Sequence, residues 1–308
     1  FVGGPLIDLA GYSFYQAFME GCDIIISKID GVDGALTAST FIGGSENDGL
    51  NLGTQLNYNY GDVCRGEVMV DPQGDVWLAT STRSDDFPMA NAFDPGLNGP
   101  SDAVILRLSE DLEDLEFSSY FGGNQDDAAY AVQFAQGSTT AYVAGGTRSD
   151  DLPTSPDAYQ PDLAGESDGY VFALNYAPVI PILDAVSYFG TDDYDQSYFV
   201  QLDTEDRPHL CGQTVGSSLQ LVGDVYADNP NGSTFVVRFG PALDDVDWVT
   251  RIGLPQSGID ISPTAFLVSD CDEMYISGWG GVTNNNNSST AGQSTTSGMP
   301  TTVDAYQI

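Results

Sequence analysis

Five short acidic motifs hold the residues of this chain whose types and spacing could do chemistry. Each combines carboxylates with serine, threonine or asparagine, and they are Ser45-Glu-Asn-Asp48, Asn124-Gln-Asp-Asp127, Thr191-Asp-Asp-Tyr-Asp195, Arg83-Ser-Asp-Asp86 and Arg148-Ser-Asp-Asp151. Carboxylates and the backbone carbonyls of glycine-rich loops suit Ca²⁺, which takes about six to eight oxygen ligands in flexible geometry. The motifs predict calcium sites, with the candidate ligands Asp48, Asp126, Asp127, Asp192, Asp193 and Asp195.

A second interpretation of the same motifs needs no metal. The spacing is not that of an EF-hand loop, and it lacks the glycine-rich nonapeptide pattern of calcium-binding β-rolls. Aspartate side chains also cap the backbone amides of turns and otherwise lie in water. Both interpretations stay open at the level of the sequence.

Catalytic chemistry has little support among the remaining residues. His209 is the only histidine, so the chain cannot supply a histidine metal cluster, and a nucleophilic triad would depend on this one side chain. His209 occupies a strand position that Trp77 and Tyr142 hold in other copies of a repeat, which predicts that it packs in a core. Asp85 and Asp86 are paired carboxylates, but adjacency in sequence does not place two groups on either side of a glycosidic bond.

The four cysteines show no CxxC spacing, which argues against a zinc site. Cys211 replaces an alanine of other copies and is expected to be a small buried thiol. Cys22 precedes the first strand of a repeat and Cys64 precedes its third strand. A disulfide between Cys22 and Cys64 is therefore a candidate, although spacing alone does not fix the pairing.

Charge and hydropathy exclude two classes of partner. The chain of 308 residues carries 45 Asp and Glu against 8 Lys and Arg, a formal net charge of -37, and Lys28 is its only lysine. Binding to nucleic acid needs basic stripes that release phosphate counterions, so nucleic acid is excluded as a partner. No apolar run approaches the length of a membrane span. A surface of this charge suits cation-rich surroundings, where salt screens the repulsion.

An internal repeat organises the chain. A strand of the type Trp77-Leu-Ala-Thr recurs at Tyr142, His209 and Tyr275, at spacings of 65, 67 and 66 residues, with an earlier copy at Phe1. Each unit contains four strand-like segments, which we call a, b, c and d. Segments a are continuous β-branched and aromatic runs, typical of strands buried on both faces, and short Gly or Asp turns between c and d predict hairpins.

Four antiparallel strands per unit predict an all-β fold, a β-propeller built from four-stranded blades. The predicted blades, each with strands in the order a to d, cover 22-80, 101-146, 167-213 and 233-279, with partial blades at 1-4 and 299-308. A β-sandwich and a β-helix are the rival folds, but neither explains why four strands recur in one order with the same turns. Residues 1–308 are predicted to be one domain or part of one, within a larger multidomain chain.

The second unit resembles a known family. Ser118-Ser-Tyr-Phe-Gly-Gly-Asn-Gln-Asp-Asp, Ala141-Tyr-Val-Ala-Gly-Gly-Thr-Arg-Ser-Asp-Asp-Leu-Pro-Thr and Asp157-Ala-Tyr-Gln are similar to the SBBP repeat of bacterial seven-bladed β-propellers. The similarity is close over 101 to 175 and weakens from 183 to 281. It implies a secreted or cell-surface bacterial protein, of a kind that often uses type IX secretion, and it implies no single activity.

Topology predicts where the acidic motifs lie. When strands run up and down in order, the loops from b to c and from d to the next a emerge at the same end. The long d-to-a loops and the first b-to-c loop, which carries an insertion, lie at this end, and so do the acidic motifs. We expect a ligand-binding face there, with Asp85, Asp86, Asp150 and Asp151. The predicted function is non-enzymatic adhesion, scaffolding or binding of extracellular glycans or surface proteins. The alternatives are an extracellular polysaccharide-acting enzyme and a structural spacer of a surface filament.

Overall fold

Sixteen β-strands form nearly all the regular structure in a computed structural model that describes residues 21–51, 56, 59–226, 231–254, 259–280 and 294–306. In chain order the strands are β1 (Ile24–Ile29), β2 (Leu36–Ile42), β3 (Glu67–Val70), β4 (Val76–Thr82), β5 (Asp102–Leu108), β6 (Leu115–Phe121), β7 (Asp127–Phe134), β8 (Thr140–Thr147), β9 (Asp168–Asn175), β10 (Ile182–Phe189), β11 (Asp195–Leu202), β12 (Pro208–Thr214), β13 (Thr234–Phe239), β14 (Val246–Ile252), β15 (Ser262–Val268) and β16 (Met274–Trp279). One 3-10 helix, Tyr60–Cys64, is the only helix in these ranges. The all-β prediction is confirmed for this part of the chain.

The strands form five antiparallel sheets. Three sheets have four strands in sequential order, β3 to β6, β7 to β10 and β11 to β14. The other two are the two-stranded pairs β1 with β2 and β15 with β16. The c-to-d hairpins that the turn residues predict are present as β3–β4, β7–β8, β11–β12 and β15–β16.

The sheets correct the predicted blade boundaries 22-80, 101-146, 167-213 and 233-279. Each four-stranded sheet takes strands c and d from one unit and strands a and b from the next, so the middle of the sheet is a d-to-a pair, with Leu78 opposite Leu106. The central strands β4, β5, β8 and β9 are buried along nearly their whole length, as expected where both faces are covered. The partial blade predicted at 1-4 lies outside the described residues, and 299–306 contains no strand.

Apolar side chains from facing sheets fill each space between consecutive sheets. Along β5, Ile105 packs toward the sheet β7 to β10 beside Phe172, whereas its neighbours Val104 and Leu106 pack toward β1 and β2 beside Ile42. This two-residue alternation buries both faces of the central strands. It explains the continuous apolar runs that marked strands a in the sequence.

The first strands of the sheets lie side by side. β7 contacts both β3 and β11, and β11 also contacts β15. The insertion between β2 and β3 reaches across these strands, since Leu56 packs against Tyr130 and Tyr198. None of the described residues forms a helix with the length and apolar character needed to cross a bilayer.

Candidate functional site

The longest connections between strands lie at one end of the sheets, which we call the long-loop end. It contains the connections that follow β2, β6, β10 and β14, and the hairpin loops that follow β4, β8 and β12. Hydrogen bonds join residues 44–48 to 82–86 and residues 123–127 to 147–151. The structure therefore brings together the two kinds of acidic motif that lie far apart in each unit.

Exposed aspartates of one loop bind the backbone of its neighbour. Ser45 donates hydrogen bonds to Asp86 Oδ1 from its backbone N–H at 2.7 Å and from its hydroxyl at 3.0 Å. In the next unit Asn124 donates its backbone N–H to Asp151 Oδ1 at 2.8 Å and its side-chain amide to Asp150 Oδ1 at 2.9 Å. We call the hydrogen bonds of Asp86 and Asp151 to the neighbouring loop a tie. The same tie occurs in two units, and in each it fixes one loop against the next.

A second set of carboxylates, Asp48, Asp127 and Asp195, lies buried beneath these ties. Each is at most 2% exposed. Each accepts a hydrogen bond from the backbone N–H four residues earlier, at 2.6, 2.8 and 2.7 Å. The Ser84 hydroxyl also donates to Asp48 at 3.1 Å, and the Ser149 hydroxyl donates to Asp127 at 2.7 Å. Asp48 and Asp127 therefore join the loops that follow β2 and β6 to the loops that follow β4 and β8.

Asp260 plays the same part in the fourth unit, and sequence reasoning missed it. Its Oδ2 accepts from the backbone N–H of Leu254 at 2.9 Å and from the N–H and hydroxyl of Ser233, both at 3.1 Å. The loop after Gly253 lacks the acidic pair of the other units. A longer loop moves the equivalent aspartate two residues further along, so a fixed spacing cannot find it.

Burial changes the ionisation of these groups. It raises the pKa of Asp127 to about 7 and that of Asp195 to about 6. Burial likewise raises the pKa of Asp102 to about 6 and that of Asp168 to about 7, and these carboxyls begin β5 and β9. A smaller contribution to the Asp127 pKa comes from the nearby negative charge of Asp102. The long-loop end therefore contains buried acids that are protonated far more readily than an exposed aspartate.

The glycines of the Phe-Gly-Gly motif make this arrangement possible. A Cβ at Gly122 would lie 2.8 Å from Asp102 Oδ1 and 2.8 Å from Asp127 Oδ2. Gly122 therefore packs between the two carboxyls, where no larger residue fits. Gly43 and Gly190 occupy the corresponding positions against Asp48 and Asp168.

The predicted calcium ligands divide into two sets. Asp48, Asp127 and Asp195 are engaged with N–H and O–H donors, whereas Asp126 is half-buried and Asp192 and Asp193 are exposed. Within the described residues, His, Cys, Asp and Glu side chains nowhere form a group of three that could hold a metal ion. The calcium hypothesis stays a prediction.

The predicted disulfide between Cys22 and Cys64 is absent from the structure, and both thiols are free and exposed. Cys22 forms an isolated bridge with Asn47, whereas Cys64 ends the 3-10 helix with its Sγ 3.9 Å from the Gly61 carbonyl oxygen. Cys211 is fully buried. His209 is also buried, with its ring centroid 5.6 Å from that of Trp248, so its expected packing role is confirmed.

A buried polar cluster lies next to the long-loop end, and sequence reasoning missed it. Asn59 donates from its side-chain amide to Tyr198 Oη at 2.7 Å and to Gln213 Oε1 at 2.6 Å. Arg65 Nε donates to Asp62 Oδ1 at 2.8 Å, and Tyr198 Oη donates to Asp62 Oδ2 at 3.1 Å. The only sign of this cluster in the sequence is the length of the insertion between β2 and β3. Its residues have distant partners: Asn59 and Gln213, for example, are 154 positions apart.

A cavity of about 310 Å³ opens beside this cluster, and we call it the Arg65 pocket. Its walls include Cys64 and Arg65 at the end of the 3-10 helix, Tyr198 from β11, Thr264 from β15 and Trp279 from β16. A second cavity, of about 360 Å³, lies between the sheets β7 to β10 and β11 to β14 at their opposite end. Its walls carry the acidic residues Asp184, Glu205 and Asp206.

Comparisons with known proteins do not place the chain in a family. No protein-family model matches it, and no curated protein gives a match.

Proposed function

We propose that this chain is a β-propeller module of a secreted or cell-surface bacterial protein, related to the SBBP repeat, that binds an extracellular glycan or a surface protein without chemical turnover. The consecutive packing of four-stranded antiparallel sheets supports the propeller architecture. The net charge of -37 supports an environment rich in cations.

The tied loop surface is the observation that carries the binding role. Asp86 and Asp151 are exposed, yet each fixes the backbone of the neighbouring loop by hydrogen bonds of 2.7 to 3.0 Å. A surface whose loops are fixed before binding loses less conformational entropy when a ligand docks. Loops held on a rigid scaffold are also where binding residues concentrate.

The chemistry of the acidic groups supports binding over turnover. A general acid with a pKa near 7 would suit glycoside hydrolysis, and Asp127 has that value. Asp127 is fully buried, however, and accepts hydrogen bonds from Gly123 and Ser149. A group in that position cannot reach the oxygen of a glycosidic bond.

The polysaccharide-acting enzyme remains the second candidate because buried acids of raised pKa occur so close to an exposed loop surface. A glycan array and a hydrolysis screen with the same glycans separate the candidates. Binding without hydrolysis is the expected result. Hydrolysis of any glycan would favour the enzyme, and absence of both binding and hydrolysis would favour the structural spacer.

A further inference from the structure

We propose that the Arg65 pocket is the glycan-binding site and that it takes a short neutral saccharide. This inference rests on the proposed function, and it places the glycan, one of the two ligand classes proposed there, in a pocket beside the long-loop end and not on the exposed acidic pairs. The cavity volume of about 310 Å³ lies at the small end of the range of pockets for small ligands, about 300 to 1,000 Å³. Such a volume suits a short saccharide or the end of a longer chain.

The chemistry of the walls favours a sugar. Phe199 and Trp279 are half-buried and provide aromatic surface, against which the C–H groups of a pyranose ring can pack. Thr264 is exposed and provides a hydroxyl group for a hydrogen bond to a sugar hydroxyl. Apolar faces with a few convergent polar groups are typical of pockets that orient a small ligand.

The charge balance favours a neutral sugar. Arg65 is paired with the buried carboxylate of Asp62 at 2.8 Å, so the pocket has no excess positive charge from this side chain. The chain as a whole carries -37, which repels acidic saccharides unless salt screens the repulsion. A neutral saccharide does not need an unpaired positive charge in the pocket, and the net negative charge of the chain does not repel it.

The Arg65 side chain is held in place before any ligand arrives. Its Nη2 donates to the Pro263 carbonyl at 3.3 Å, and its guanidinium lies 3.8 Å from the centroid of the Tyr198 ring. Together with the Nε bond to Asp62, these contacts fix the group from three sides. Pre-organised walls of this kind reduce the entropy cost of binding.

Trp279 offers the cleanest variant because it is half-buried in the pocket wall and lies outside the polar cluster. Tyr275, on the same strand, is exposed and does not line the pocket, so Tyr275→Ala is the matched control. We expect Trp279→Ala to weaken binding of neutral glycans from the array at least about tenfold, as for a central aromatic anchor, and Tyr275→Ala to leave it unchanged. The melting temperature of each variant shows whether the fold is intact.

A second measurement uses Cys64 as a reporter. In a Cys22→Ser and Cys271→Ser background, Cys64 is the remaining exposed thiol. A neutral saccharide that binds wild type on the array should slow labelling of Cys64 by a thiol reagent at least about threefold at saturation. Unchanged labelling would overturn the pocket assignment even if Trp279→Ala unfolds.

The outcomes distinguish the two proposals. If glycans bind wild type and Trp279→Ala equally, the pocket assignment is overturned while the proposed binding function stands. Binding restricted to acidic glycans would also overturn the pocket proposal. If wild type binds no glycan, both the glycan-binding form of the proposed function and the pocket proposal fail.

Discussion

Ser45 and Asp86 join two loops 41 positions apart, because one carboxylate oxygen of Asp86 accepts both the backbone N–H and the hydroxyl of Ser45, at 2.7 and 3.0 Å. Two hydrogen bonds to one charged acceptor fix the loop after β2 against the loop after β4. The exposed carboxylates of Asp86 and Asp151 thus already bind neighbouring loops of the protein when no ligand is present.

Removing this tie should destabilise the fold modestly. Asp86→Ala deletes two charge-assisted hydrogen bonds near the surface, so we expect a loss of about 1 to 2 kcal/mol in the free energy of unfolding. Urea titration measures it. Asp85→Ala changes the neighbouring exposed carboxylate, which is not part of the tie, and should change stability by less than about 0.5 kcal/mol. Equal effects of the two variants would contradict a structural role for Asp86.

Stability should decrease as pH rises from 5 to 8. The folded pKa of Asp127 is about 7 and that of Asp102 about 6, both above the usual value of 3.8. Groups of this kind stabilise the fold when protonated, and that stabilisation is lost as pH rises through 6 and 7. Thermal unfolding at fixed ionic strength should therefore give a lower melting temperature at pH 8 than at pH 5.

Asp127→Asn separates this effect from the general repulsion between surface carboxylates. Its neutral amide does not titrate, so the decrease in melting temperature between pH 5 and pH 8 should be smaller than in wild type. A decrease as large as that of wild type would show that Asp127 does not contribute. A wild-type melting temperature that rises with pH would contradict the raised pKa values themselves.

Calcium should not stabilise the protein more than magnesium does. Asp48, Asp127 and Asp195 each use Oδ2 to accept a backbone N–H, and the described residues nowhere bring three metal-ligating side chains together. A calcium site with a Kd near 1 mM would add about 1.4 kcal/mol at 10 mM Ca²⁺. Melting temperatures in 10 mM Ca²⁺ and 10 mM Mg²⁺ at pH 8 compare the two cases, and a rise specific to Ca²⁺ would restore the calcium hypothesis.

Breaking the buried ion pair of the polar cluster should be far more costly than breaking a surface tie. Asp62→Ala leaves the largely buried Arg65 guanidinium without its carboxylate, and we expect a loss of about 3 to 5 kcal/mol. The double variant Asp62→Ala, Arg65→Met removes the unpaired charge and should regain part of that loss. Urea titration of the four proteins in this cycle gives the coupling energy, and additive losses would show that the two residues do not interact.

Local sequence patterns predicted the strands of this fold well, whereas the contacts between repeat units were harder to predict from the sequence. The apolar run from Val104 to Leu106 and the glycine turn at Gly74 are patterns of a few consecutive residues, so the strand and the hairpin could be predicted. The pairing of strand d with the next strand a depends on which strands are covered on both faces. Coverage of both faces is decided only when the sheets pack together. For this reason the predicted blade boundaries differ by two strands from the sheets of the structure.

The same limit applies to the candidate site. The acidic motifs were found because they recur, and their shared location follows from strand parity. Their burial could not be predicted, because Asp127 and Asp126 are neighbours of identical type that differ only in which one faces the core. Asn59 and Arg65 lie in an insertion that occurs once, so no repeat could mark their partners.

The thiols provide the last test, because their exposure is unequal. Cys22, Cys64 and Cys271 are free and exposed, whereas Cys211 is fully buried, and burial raises its pKa to about 12. A thiol reagent at pH 8 should modify the first three in the native protein, since the thiolate is the reacting form. Cys211 should react only after unfolding in denaturant. If Cys22 and Cys64 were joined under oxidising conditions, only Cys271 would react before reduction, and mass spectrometry of labelled peptides distinguishes the two patterns.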